Sequence, residues 1–130
     1  MDLEFFTRED FSGSGQACIK FTECGAVIIN HEAMRRLGID RSKKVAIGCD
    51  GSNPHDFMIA VGDRGWPVRV GSHGEGIFNS RGLVRHVIDQ TWNRKSHTPD
   101  ECKPTSMRFH LAKLPVDDGV NKEVFALLRK

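Results

Sequence analysis

No stretch of this 130-residue chain approaches the roughly 18 apolar residues of a membrane-crossing helix, so no such span is expected. The opening MDLEFFTRED is acidic and lacks a basic n-region followed by an apolar h-region. It does not read as a signal peptide, and a cytoplasmic protein is expected. None of Cys18, Cys24, Cys49 and Cys102 forms a C-x-x-C pair, which leaves no zinc framework. They are expected to be buried, reduced thiols, because free cysteine behaves as a small hydrophobe. His97 and Cys102 could join Cys49 or His110 around a metal, but no spacing requires it. No metal or cofactor is expected. Gly13-Ser14-Gly15 lacks the following Lys-Ser/Thr of a P-loop and reads as a turn. A large excess of one charge is missing too. The net charge is +2 and the pI about 8.4, which neither demands a polyanionic partner nor excludes one.

What is present fits one globular domain over 1–130, with 38% hydrophobic and 28% charged residues. The basic residues cluster locally. Arg35, Arg36, Arg41, Lys43 and Lys44 lie close together, and a looser group holds Arg81, Arg85, Arg94 and Lys95. QACIKF (16–21) alternates as a half-buried strand, and AVII follows after a tight turn. Asn30 stands at an N-cap position, Glu32 suits the helix dipole, and Ala33, Met34 and Leu37 share one face before the stop at Gly38. KKVAIGCD and DFMIAVG then flank the Asp50-Gly51 turn dipeptide.

The pattern starts again further on. With an offset of 49, Gly25, Ile28, Asn30, Arg36, Ile39 and Asp40 fall on Gly74, Ile77, Asn79, Arg85, Ile88 and Asp89. About one or two such identities would be expected from residue usage alone. Arg35 falls on Val84 at this offset, and Ile19-Lys20-Phe21 falls on Val68-Arg69-Val70. TSMRFHLAK and KEVFALLRK flank a second turn at Asp118-Gly119. The halves run over about 16–62 and 66–130. The second carries a polar insert at 90–104, where Trp92 is expected to pack over the core, and residues 1–15 form an N-terminal extension. Core candidates are Ile19, Phe21, Val27, Ile29, Met34, Leu37, Val45, Ile47, Met58 and Ile59. Their partners in the second half are Val68, Val70, Ile77, Leu83, Val87, Met107, Phe109, Val124 and Phe125.

The order strand, strand, short helix, Leu-Gly-Ile, strand, turn, strand resembles the AbrB/SpoVT swapped-hairpin family. Gly25, Val27, Ile29, Glu32, Arg35, Leu37, Gly38 and Ile39 carry the resemblance, which covers about residues 16–62. Asn30 replaces the family's proline. Ala26, and Glu75 in the second half, stand where a basic residue usually follows the glycine. Two halves in one chain are similar in layout to MraZ-type regulators, without their Asp-x-x-x-Arg signature. The resemblance implies a mainly β (α+β) fold: a pseudo-two-fold swapped-hairpin β-barrel-like core of two ββαββ halves, each with a short helix. With both halves in one chain, a monomer can complete that fold, and a homodimer is also compatible with it.

Two functions follow. The first is a DNA-binding transcriptional regulator or antitoxin-like protein, with Arg35, Arg36, Arg41, Lys43, Lys44, Arg81 and Arg85 on the phosphates of double-stranded DNA. The second is a protein-interaction or accessory module on the same scaffold, with Leu3, Phe5, Phe6 and Phe11 available to cover a protein partner or the chain's own core. An enzyme is not expected. His31, Glu32, His55, Asp56, His73, Glu75 and His86 show no catalytic order or ligand spacing, and neighbours such as His31 and Glu32 diverge on a helix.

Overall fold

A computed structural model of the chain describes residues 16–40, 42–50, 53–93, 96–115 and 124–129. The N-terminal extension with its four apolar residues and Gly13-Ser14-Gly15, together with Arg41, Arg94, Lys95 and the Asp118-Gly119 turn, lies outside them. Among the described residues the fold is mostly β with two short helices. In chain order the elements are β1 (Cys18–Phe21), β2 (Ala26–Ile29), α1 (His31–Leu37), β3 (Lys44–Asp50), β4 (Asn53–Gly62), β5 (Trp66–Pro67), β6 (Arg69–Val70), β7 (Gly76–Asn79), α2 (Arg81–Trp92), β8 (Met107–Pro115) and β9 (Val124–Arg129).

The strands form one antiparallel sheet in the order β5-β3-β4-β9-β8-β1-β2-β7-β6. Its two edges belong to one stretch of chain. Trp66 and Pro67 pair with β3, Arg69 and Val70 pair with β7, and only Val68 separates them. The sheet is therefore a nearly closed barrel, which leaves little unpaired edge.

Inside lie Ile19, Phe21, Val27, Ile29, Val45, Phe57, Ile59, Val61, Phe78, Met107, Phe109, Leu111 and Leu127, with Ala33, Met34 and Leu37 from α1 and Val84, Val87 and Ile88 from α2. Phe109 packs edge-on against Phe21 and Phe57, with ring centroids 5.5 and 6.2 Å away. Each such buried side chain contributes about 1.5–3 kcal/mol relative to exposure.

Two departures from expectation, Met58 and Ile77, follow strand alternation. On β4 the inward residues are Phe57, Ile59 and Val61, so Met58 turns outward and is only half-buried. On β7 Phe78 is inward and Ile77 outward. Val70 has the parity of the buried Val68 but is 48% exposed, at the end of a two-residue edge strand. Ile47, Leu83 and Phe125 are half-buried and pack against the core as expected, while Val124 is half-buried. Trp92 does not cover the core but stacks on His97 of the insert, with centroids 3.4 Å apart. The cysteines are not buried: Cys24, Cys49 and Cys102 are exposed and Cys18 is half-buried, because the first three sit at a turn, near a hairpin end and in the insert.

α1 is too short to persist alone and depends on its ends. Asn30 Oδ1 accepts the Ala33 N–H at 2.9 Å. Gly38, at φ 65°, donates to the Arg35 carbonyl while Ile39 donates to that of Met34. α2 starts on Ser80, whose Oγ accepts the Leu83 N–H at 3.2 Å.

The β1–β2 and β6–β7 hairpins share a register. Lys20 faces Ile28 and Arg69 faces Ile77; Phe21 faces Val27 and Val70 faces Gly76. Their turns close with matching bonds: Thr22 N to Ala26 O and Gly25 N to Thr22 O in one, Gly71 N to Glu75 O and Gly74 N to Gly71 O in the other. These pairs repeat at 49, but the caps and helices repeat at 50: Asn30 answers to Ser80, Met34 to Val84 and Leu37 to Val87. Asn79 is the added residue. The helical counterpart of Arg35 is consequently Arg85 rather than Val84, and Arg36 corresponds to His86.

Candidate nucleic-acid interface

The basic residues of the first cluster are largely engaged within the fold. Arg35 is exposed, but its guanidinium donates through Nε (3.1 Å) and Nη2 to the Glu32 carboxylate. That hydrogen bond holds the Glu32 carboxyl below its ordinary range, and Glu32 in turn raises Arg35. Arg36 is half-buried and donates from Nη2 to the Ala112 carbonyl at 2.8 Å, tying α1 to β8. Lys43 Nζ donates to the Gly38 carbonyl at 3.1 Å, at the negative end of the α1 dipole. Lys44 is exposed at the first position of β3, where Gly62 and Pro67 flank it.

Arg81 and Arg85 lie one turn apart on the exposed side of α2. Neither has a hydrogen bond or carboxylate partner among the described residues. Both line a cavity of about 240 Å³ with Glu23, Val84, Ile88, Asp89, Lys103 and Thr105. Lys103 is ion-paired to Asp89. An open depression of about 540 Å³ continues past Glu23 and Thr105 to Lys20, Thr22, Cys24 and Ser106. There the Thr22 hydroxyl, with help from the Ala26 backbone and a smaller contribution from Arg81, lowers the Cys24 thiol from its ordinary value.

Sheet register supplies basic residues that the charge clusters did not reveal. Arg69 pairs with Ile77, Ile77 with Ile28, Ile28 with Lys20, and Lys20 with Arg108. One row thus crosses β6, β7, β2, β1 and β8. Its members face away from the barrel interior, since the flanking Ile19, Phe21, Val27, Ile29, Phe78, Met107 and Phe109 are buried. Arg69 and Arg108 are exposed, while Lys20, Ile28 and Ile77 are half-exposed. With strands about 4.8 Å apart the row spans about 19 Å. The sequence signal for it is the triplet apolar–basic–apolar, present as Ile-Lys-Phe (19–21), Val-Arg-Val (68–70) and Met-Arg-Phe (107–109).

Other combinations do not assemble. No three of His, Cys, Asp and Glu form a metal-holding group among the described residues. His97 is instead held between Glu101 (2.6 Å) and the Trp92 carbonyl (2.5 Å), while Cys18 Sγ meets His110 Nδ1 at 3.6 Å across β1 and β8. No described helix is long and apolar enough to cross a membrane. Comparison with family models, with curated proteins and with solved structures finds no match for this chain.

Proposed function

We propose that the chain is a two-half swapped-hairpin protein of AbrB/SpoVT type that binds duplex DNA through the outer face of its sheet, as a regulator or antitoxin-like protein. The observation that carries the DNA reading is the in-register row Arg69–Ile77–Ile28–Lys20–Arg108. Two apolar residues, Ile77 and Ile28, set Arg69 apart from the adjacent Lys20 and Arg108. At about 19 Å the row is longer than the major groove is wide, about 12 Å, so its ends meet phosphate while its centre faces the groove. The two-half layout is supported by the shared hairpin registers and by a reciprocal packing. Gly25 lies against Arg81, the first residue of α2, and Gly74 lies against His31, the first residue of α1. With near-neutral net charge, binding rests on few phosphate contacts and carries a correspondingly modest salt slope.

The test is fluorescence anisotropy of a labelled random duplex at several salt concentrations. Wild-type protein binds saturably, and K20Q/R69Q flattens the plot of log K against log salt by about 1.8, roughly 0.9 per lost contact. Absence of binding by the wild type at low salt removes the DNA reading and favours the interaction-module alternative.

A further inference from the structure

The two helices present their arginines very differently, and the difference points to a ligand site. At α1, Arg35 is neutralised by Glu32, Arg36 is spent on the Ala112 carbonyl and Lys43 on that of Gly38. At α2, Arg81 and Arg85 have neither hydrogen bond nor carboxylate partner among the described residues, yet they border a recess rather than a flat surface. Position 82, which answers to Glu32, is glycine, so no acid stands one turn before Arg85, and Asp89, one turn after it, is ion-paired to Lys103. Arg81 is also held in place. Gly25 has no side chain, and a Cβ there would come within 2.5 Å of Arg81 Cγ, so the arginine stem lies directly on the β1–β2 turn.

We propose that this recess is a phosphate-binding site, with Arg81 and Arg85 as the charged fork, the Thr105 hydroxyl as a further donor and Lys103 on its wall. Two guanidiniums one helical turn apart offer several N–H donors in the planar geometry that phosphate oxygens accept. Asp89 offsets Lys103, and Glu23 is the remaining acid, so the recess keeps a net positive charge. The floor formed by Val84 and Ile88 is apolar, which strengthens the attraction to an anion seated above it. Through the adjoining depression the recess reaches Lys20, so the site connects with one end of the sheet row. The binding face is consequently one-sided, with phosphate held at the α2 end and not at its α1 counterpart. The inference rests on the DNA reading only for the source of the phosphate, which is a nucleic-acid backbone there and a free phosphate compound otherwise.

The experiment uses the full chain labelled with 15N at arginine and follows the Nε–Hε resonances during titration with inorganic pyrophosphate, and separately with a random duplex. Arg81 and Arg85 are expected to move together with one saturating Kd while Arg35 stays in place. R81Q/R85Q abolishes the saturable pyrophosphate response, and it lowers the duplex salt slope by about 1.8, against no change for R35Q. Pyrophosphate binding at Arg81 and Arg85 without duplex binding upholds the recess and removes the DNA reading. Duplex binding that R81Q/R85Q leaves unchanged, with pyrophosphate moving neither arginine, overturns the recess and leaves the sheet row as the DNA contact. Equal responses at Arg35 and Arg85 overturn the one-sidedness. Both arginines are exposed, so the variants are expected to fold; R81K/R85K, which keeps the charge but not the fork, should retain only part of the affinity.

Discussion

The hairpin corner that leads into α1 and the one that leads into α2 use one plan with different side chains. Thr22 braces the first turn, its hydroxyl donating to the Ala26 carbonyl and accepting the Ala26 N–H. Gly71 stands at the same register in the second turn, and Glu75 takes over by accepting the His73 N–H at 3.0 Å. The first cap, Asn30, does three jobs: it accepts from the N–H groups of Ala33 and Cys18 and donates to the Gln16 carbonyl. Ser80 does one. The first corner is the better braced, and its arginines are consumed in bracing it. The second is sparer, and its arginines remain available. Structural bracing and arginines without hydrogen-bond or carboxylate partners among the described residues trade places between the halves.

That contrast can be broken most severely at the turn glycines. Gly25 has φ 89° and a Cβ there would also crowd the Arg81 backbone, at 3.1–3.2 Å from Cα and N. Gly74 has φ 80°, but the atoms in its way belong to the His31 side chain, which can swing aside. G25A is expected to destabilise by about 3 kcal/mol and G74A by about 1.5, from left-handed strain with and without a backbone clash. Urea titration should show lower midpoints at unchanged slope, and equal losses would show the corners to be equivalent.

The caps come next. N30A should cost about 2 kcal/mol and S80A about 1, since the asparagine also joins β1 to the helix start. A larger loss for S80A, again read from urea midpoints, would reverse the order of bracing.

A smaller and more pointed change is E32Q. It frees the Arg35 guanidinium and makes the α1 end resemble the α2 end. The duplex salt slope should steepen by about 0.9. An unchanged slope would place Arg35 outside the binding face whatever its charge state.

The smallest effect is on pH dependence. Arg35 depresses the folded-state pKa of Glu32, so the stability it contributes is present above the unfolded carboxylate value and lost as pH falls through the folded one. The thermal midpoint should drop as pH falls from about 5 to below about 4, and by less in E32Q. Some of the drop should persist, because Asp40, lowered by its bonds from Ser42, titrates in the same direction. Identical curves for E32Q and wild type would remove the ion pair from the account.

Most strands, the Asn30 cap and the Gly38 stop were legible because each is written locally, in alternation, in a capping side chain or in a left-handed glycine. By contrast, α2 starts on Ser80 and not on Asn79, where the 49-residue offset carries the cap. Positions such as Met58 and Ile77 were not legible, because an apolar residue in a short strand fits either face until the partners fix the parity. Trp92 illustrates the same limit. Its size suggested the core, but the insert supplied His97 as a stacking partner outside it. Among the basic residues, nearness in sequence misled. Arg35, Arg36 and Lys43 are neighbours and point to separate acceptors, while Lys20, Arg69 and Arg108 are far apart in the chain and share one row of the sheet.

By itself the sequence determined a β-rich chain with a capped first helix and a recurring hairpin pattern, because hydrogen-bond caps and side-chain periodicity act over a few residues. Tertiary structure alone decided that Val68 joins the two edges of the sheet, that Arg35 corresponds to Arg85, and which cations share a surface. Those outcomes depend on strand register and on a single added residue, Asn79. Register is set by how the whole core packs rather than by any segment read alone.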